Sequence, residues 1–191
     1  PDRVGRELAA VEIFMFEPGP ARAAQLRRKQ SASHVIEAAV GSEAGRATLF
    51  DYDAQEASEH ASLVPGVIEA TGATAVGVEV RVISVDDFCR DRQIDRVDLL
   101  KIDTEGYEYD VLRGASETID SRGVRWIQFE FNSMNVLGRK FFSDFESLLI
   151  PQFQLCRLLR SGQLLPLALE PLWLREQFVF QNVIAVRHGA H

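Results

Sequence analysis

The chain has little of the chemistry that marks a metal centre, a disulfide scaffold or a membrane anchor. It holds two cysteines, Cys89 and Cys156, far apart and with no Cys-x-x-Cys spacing. That excludes a disulfide framework or a thiolate zinc site and reads as two buried thiols of a cytoplasmic protein. Histidine is scarce: His188 and His191 belong to the tail and His34 opens an apolar strand. Only His60, in a polar loop, lies near a candidate site, and its simpler reading is a solvated loop histidine. No apolar run approaches the roughly 20 residues that a bilayer-spanning helix needs. Residues 164–174 are apolar but short, and Pro166, Glu170 and Pro171 interrupt them. No secretory signal pattern is visible. With 28 acidic against 21 basic residues, net charge −7, and no run of five like charges, the chain lacks the basic face of a nucleic-acid binder. Internal repeats and low-complexity tracts are also missing. The chain opens on Pro1 and runs at once into residues 4–8 and a strand, so the expectation is that sequence precedes it.

What is present suits one domain, residues 1–191, with enough apolar content (46%) for a full core. The organising stretch is residues 97–108. A run of Val97, Leu99, Leu100 and Ile102 ends abruptly in Asp103, Thr104, Glu105 and Gly106, and a helix follows over about 107–113, ended by Gly114. Lys101 and Asp103, two apart, share one face of the strand, and Ile102 points to the other. Glu105 falls near a helix start, where the positive end of the dipole tolerates an anion.

The remaining elements follow from the same signals. Residues 4–10 read as a connector or helix end, and 11–16 as a strand stopped by Glu17, Pro18, Gly19 and Pro20. A helix over 21–29 precedes a strand over 34–40, with 46–52 as its antiparallel partner. Residues 53–74 read as a long loop with at most one short helix. A loop of that length is uncommon in a compact domain and suits a substrate lid, with Ala61, Ser62 and Leu63 placed to meet a substrate. Residues 75–85 alternate as a strand. Asp86 is placed to cap a short helix to about 92, and Ser116 a further turn to 121. Strands follow over 124–132 and 153–159, separated by a helix over 144–149. A hairpin return over 163–167, a connector over 171–176 and a last strand over 178–186 complete the chain. Alternating strand–helix units predict an α/β fold with a mostly parallel sheet. The late strand pair predicts an antiparallel member.

Three apolar strands thus end in carboxylates: Glu17; Asp103 with Glu105; Glu130 with Asn132. Parallel packing would bring such ends to one edge, where ligands of open α/β sheets collect. A carboxylate just past an early strand suits two vicinal ribose hydroxyls. Asp103, Glu130 and Asn132 could alternatively hold a divalent cation, since carboxylate and amide oxygens suit Mg²⁺ or Ca²⁺. A third, purely structural reading pairs Glu130 and Asn132 with Lys101 and with backbone groups.

The linked order of segments resembles the FkbM-type family of S-adenosylmethionine-dependent methyltransferases. The resemblance is carried by Phe16, Glu17 and Pro18; by Ala38, Ala39, Val40 and Gly41 with Gly45; and by Ser84 to Phe88. It continues through Val97 to Glu108 with Val111 to Ala115, then Ile127 to Asn132, and finally Gln181 to Ala185. Lys101 to Glu108 is its most specific part. It implies a Rossmann-like class I methyltransferase three-layer sandwich with an antiparallel last strand. The family's first strand and glycine-rich loop have no counterpart before residue 13, so an N-terminally truncated domain lacking that strand is expected. The implied activity is methyl transfer from S-adenosylmethionine to a hydroxyl of a sugar, another small polyol or a natural product. The implied roles put Glu17 on the cofactor ribose, Asp103 by the methionine end of the cofactor and the acceptor, and Glu105, Glu130 and Asn132 on the acceptor side; Val40 joins the expected cofactor contacts, Ser62 of the loop the acceptor contacts, and the catalytic base is Asp103 or Glu130. No metal is expected, with the Asp103, Glu130 and Asn132 cation site as the alternative. The partner is a small molecule, with no nucleic acid and no membrane. Two rival readings remain: an inactive methyltransferase-like domain that serves as a binding module, and a nicotinamide-dependent oxidoreductase, whose ribose Glu17 would equally suit.

Overall fold

The computed structural model describes residues 11–29, 33–53, 58, 60–121 and 123–189. The expected element over 4–10 lies outside the described residues. Strand β1, Phe14–Phe16, stops at the Pro-Gly-Pro cluster, and helix α1, Pro20–Lys29, follows with Arg27, Arg28 and Lys29 in its last turn. Proline opens the helix where its missing N–H costs nothing, and the cations complement the dipole.

The single strand expected over 34–40 breaks in two. β2, His34–Ile36, pairs in parallel with β1, and β3, Ala39–Val40, pairs in parallel with β5, Ala75–Ile83. Ala38 donates back to Ile36 O at 3.1 Å, and that tight turn moves the chain to another sheet. The expected partner of that strand, β4 (Gly45–Tyr52), instead lies antiparallel along β5, from Gly45 opposite Val82 to Tyr52 opposite Ala75. A full-length ladder outweighs the two-residue pairing that β3 offers. Among the described residues of 53–74 the regular features are a short 3-10 turn, Glu69–Thr71, and an isolated bridge from Ser62 to Phe50.

Helix α2, Val85–Asp91, is capped by Ser84, whose Oγ accepts from Asp87 N at 3.0 Å, and not by Asp86 as expected. The Asp86 carboxylate reaches across to accept from Glu117 N (2.9 Å) and Thr118 N (2.7 Å). It therefore caps helix α4, Ser116–Ser121.

The largest sheet contains β6 (Leu99–Ile102), β7 (Trp126–Phe131), β8 (Phe153–Leu158), β9 (Leu164–Pro166) and β10 (Gln181–Arg187), in the order β6-β7-β10-β8-β9. Only β6 and β7 pair in parallel there; β10 runs antiparallel to β7 and β8, and β9 antiparallel to β8. The architecture is α/β with an antiparallel last strand, but among the described residues the expected mostly parallel single sheet is a mixed set of three. The turn at Ser161 and Gly162 reverses the chain directly, and β10 inserts between two strands that run the other way. β1 and β6 lie in separate sheets. Among the described residues no strand pairs with the outer edge of β6 or the second edge of β1.

Helix α3, Glu108–Arg113, and helix α6, Phe142–Leu149, cover one face of the large sheet. Alternation in β7 sends Ile127, Phe129 and Phe131 into that core and leaves Gln128 and Glu130 on the other face. Phe145 stacks on Phe129 at 5.0 Å and meets Phe131 edge-on at 5.8 Å. Each such buried ring contributes about 1.5–3 kcal/mol. α6 starts on the Glu176 carboxylate, which accepts from Phe142 N and Ser143 N. Gly41, just after β3, and Gly114, just after α3, meet at the seam between sheets. A methyl group at position 114 would sit 2.0 Å from the Gly41 carbonyl oxygen. Helix α5, Met134–Leu137, and helix α7, Leu172–Arg175, are short turns without a strong sequence signal. Around α7 and the approach to β10 the surface is apolar. Leu169, Leu172, Trp173 (70% exposed), Val179 and Phe180 (66% exposed) all face outward. No helix among the described residues is long and apolar enough to cross a membrane.

Candidate functional site

β6 delivers Asp103 to the sheet edge. Lys101 Nζ stands 2.7 Å from Asp103 Oδ2, the same-face pair that the spacing predicts. Both side chains are exposed, so the pair adds little stability. The chain then turns sharply, with Glu105 at φ +53 and Gly106 at φ +101. A left-handed non-glycine residue costs roughly 1–2 kcal/mol and persists only when neighbours hold it. Here Ser62 Oγ donates to Glu105 O at 2.7 Å, while Thr104 N and Gly106 N donate to Glu108 Oε1 at 3.0 and 3.1 Å. A side chain at position 106 would press on the Met134 carbonyl, 3.1 Å away, so glycine is required there for space as well as for angle.

β7 delivers Glu130. Its carboxyl is pushed up to about 7, first by burial and then by the negative charges of Asp103 and Glu105, with Lys101 pulling the other way and Glu108 adding to the push. Next to it, on the same face, Gln128 Nε2 donates to Asn182 Oδ1 at 3.0 Å. Asn132, two residues on, is buried: its Oδ1 accepts from Met134 N at 2.8 Å, and its N–H donates to Asn135 Oδ1 at 2.8 Å. The oxygens offered for a divalent cation thus already face protein donors at Asp103 and Asn132. Among the described residues no group of three or more His, Cys, Asp or Glu is arranged to hold a metal.

A loop from the other half of the molecule reaches this edge. Phe50 in β4 and Ser62 exchange backbone hydrogen bonds at 2.8 and 3.0 Å, which pins the loop to its own sheet. Ser62 Oγ, besides holding Glu105 O, accepts from Val64 N at 3.0 Å, so the buried hydroxyl is occupied by the loop and the turn. His60 Nδ1 lies 2.7 Å from Glu105 Oε1, with the imidazole mostly exposed and the carboxylate mostly covered. Beside this contact is a cleft of about 230 Å³ lined by Leu63, Pro65, Gly106, Tyr107, Leu137 and Lys140. A larger hollow of about 330 Å³, by Arg81, Asp87 and Asp91, lies away from the carboxylates that end β6 and β7.

Glu17 occupies a different neighbourhood. Its Oε1 accepts from Gly19 N at 2.8 Å, and burial raises its pKa against that hydrogen bond and the nearby Arg22, with Asp51 adding to the rise. Val40 ends β3, half-buried against the main core. Asp103 and Glu105 thus act on Glu130, with Ser62 holding Glu105, while the groups that act on Glu17 are Gly19, Arg22 and Asp51. The link between them runs from Asp51 through its neighbour Phe50 to Ser62 and Glu105. Sequence reasoning missed Glu108 and Asn135, and it set His60 aside. Glu108 had a readable signal: an acidic first-turn residue just after a glycine turn whose N–H groups need an acceptor. The His60–Glu105 contact, made across 45 positions, had none.

No curated protein matches the chain. A crystal structure of methyltransferase FkbM from Methylobacillus flagellatus KT is similar with a TM-score of 0.46 and 14% sequence identity, over 91% of this chain and 36% of that one. The chain thus spans about a third of the length of that structure. The Methyltransferase FkbM domain matches residues 6–155, most of the 191. On that match, the chain belongs to the FkbM methyltransferase family.

Proposed function

We propose that this chain carries the acceptor side and part of the cofactor side of an S-adenosylmethionine-dependent O-methyltransferase acting on a hydroxyl of a sugar, small polyol or natural product. Family membership supports methyl transfer. The observation that carries the assignment of chemistry is Glu130, a carboxylate on the open face of the sheet edge with a pKa of about 7, crowded by Asp103 and Glu105. A group poised near neutrality both accepts a proton and gives it back, which is what a general base needs. Glu130 takes the proton of the acceptor hydroxyl. Asp103, ion-paired with Lys101, and Glu105, clasped by His60, flank that hydroxyl and orient it. Alignment of this kind contributes several kcal/mol to a displacement.

The cofactor supplies an electrophilic methyl group on a sulfonium. Glu17 fits the ribose end: it is a half-buried carboxylate at a strand terminus, held by one backbone N–H at Oε1 and chemically suited to accept from vicinal hydroxyls. Val40 and Asp103 complete the proposed cofactor contacts. Ser62 and Asn132 support the acceptor side through the backbone they hold. Calorimetric titration of S-adenosylhomocysteine into the chain, followed by transfer of labelled methyl to a panel of glycosides and polyols, tests the reading. Binding lost in Glu17→Ala, and transfer lost in Glu130→Gln with binding intact, are the expected results. Absence of binding by the chain, and by a version extended upstream, would favour a binding module instead.

A further inference from the structure

We propose that Glu108, which contacts no reactant in the reading above, is a positioning residue. Its buried carboxylate ties the turn bearing Asp103 and Glu105 to the strand end bearing Glu130 and Asn132. The inference rests on the proposed role of Glu130.

Glu108 is 1% exposed, which is costly for a carboxylate unless it is fully hydrogen-bonded. Its partners are all donors. Thr104 N, Thr104 Oγ1 and Gly106 N point at Oε1, and Asn135 Nδ2 points at Oε2 from 3.2 Å. Burial pushes its pKa up while these donors pull it down. An ionised carboxylate can accept from all four of these donors at once. An apolar side chain would fill the volume at lower cost, so the carboxylate is explained by what it organises.

That organisation spans two strands. The β6–β7 register ends at Ile102 opposite Phe129, so Asp103 and Glu105 lie beyond it, while Glu130 is paired with Asn182 on its β10 side. Beyond that point a side-chain chain takes over. Thr104 N and Gly106 N bind Glu108, Glu108 binds Asn135, and Asn135 Oδ1 binds Asn132 N. Asn135 is itself completely buried, and its carbonyl receives Lys140 N. The charged groups facing Glu130 are Lys101 and Asp103 from β6, Glu105 from the turn with His60 behind it, and Glu108 from α3. Gln128 and Asn182 are its neutral polar neighbours on the sheet.

The test uses the full chain labelled with ¹³C at glutamate carboxyls, with Glu130 assigned through Glu130→Gln. Its titration midpoint and the hydrogen exchange of the Thr104, Gly106 and Asn132 amides are compared in wild type, Glu108→Gln and Asn135→Ala. The midpoint is expected near 7 in wild type and lower by roughly half a unit or more in both variants, as the neighbouring charges are lost or swing away. The three amides should exchange at least about tenfold faster, while amides of β10 keep their protection. A residue that only supports the fold would lower the melting temperature and leave the Glu130 midpoint where it was; that result overturns the inference. If Glu108→Gln does not fold, Asn135→Ala, which keeps the Glu108 charge, decides alone. A wild-type midpoint in the ordinary glutamate range would instead remove the base role of Glu130, and the amide exchange would still report whether the tie exists.

Discussion

Glu17 and Glu130 are the same residue at the same kind of place, a strand terminus, and burial raises both pKa values. They differ in company. Glu17 sits with Gly19 N–H and Arg22, which stabilise its anion and leave an acceptor for hydroxyl groups. Glu130 sits among Asp103, Glu105 and Glu108, with Lys101 as the opposing cation, and so holds its proton up to about pH 7. In the proposed function one environment suits a recognition group and the other a proton acceptor. Divergent environments around like residues are how a site divides its labour.

That contrast can be challenged by substitution. The largest effect is expected from Glu130→Gln, which should lower the rate of methyl transfer by about 10²–10⁴ while S-adenosylhomocysteine still binds. If affinity fell and rate held, the two carboxylates would have exchanged roles. Next comes the seam that keeps the two neighbourhoods in register. Gly114→Ala forces a methyl to within 2.0 Å of the Gly41 carbonyl oxygen, so backbone must move. A loss of about 3 kcal/mol in urea unfolding is expected, and an unchanged midpoint would show the seam to be slack. Glu17→Ala should weaken S-adenosylhomocysteine by roughly 10–100-fold, the value of one or two lost hydrogen bonds to a charged acceptor, with little change in the Glu130 titration.

The smallest effect is a pH dependence of stability. The folded Glu130 pKa, about 7, lies above the reference value of 4.5, so the folded state holds the extra proton between them. Stability from this group is therefore fully present below about pH 4.5 and is lost as pH rises towards 7. Melting curves of wild type and Glu130→Gln should separate by a few degrees across that window, in favour of the variant at the upper end. Solvent screening at a partly exposed group keeps the difference small. Parallel curves would mean that the crowding around Glu130 is relieved in solution.

Much of this arrangement was legible in the residues. Val97 to Gly106 announced a strand stopping at carboxylates, because apolar content and turn chemistry change abruptly there, but not its exposure: Leu99 and Lys101 face solvent and Ile102 alone in β6 is buried. Pro18, Gly19 and Pro20 marked the end of β1 in the same local way, and alternation identified β5. What was hidden depends on partners distant along the chain. Asp86 looked like the cap of its own helix but caps one that begins thirty residues later. β4 looked like the partner of the strand before it but pairs with the strand after it. Glu108 reads as an ordinary first-turn acid until Thr104, Gly106 and Asn135 are seen to converge on it. Local periodicity records which face a residue turns inward; it does not record which distant donor that face will meet.

The outward-facing apolar crest from Leu169 to Phe180 has a practical consequence for anyone handling this polypeptide. Trp173 and Phe180 lie exposed, and the net charge of −7 at neutral pH opposes their association between molecules. Acidification neutralises that charge while leaving the grease untouched, so mildly acidic, salty buffers should drive reversible clumping well before the fold itself gives way.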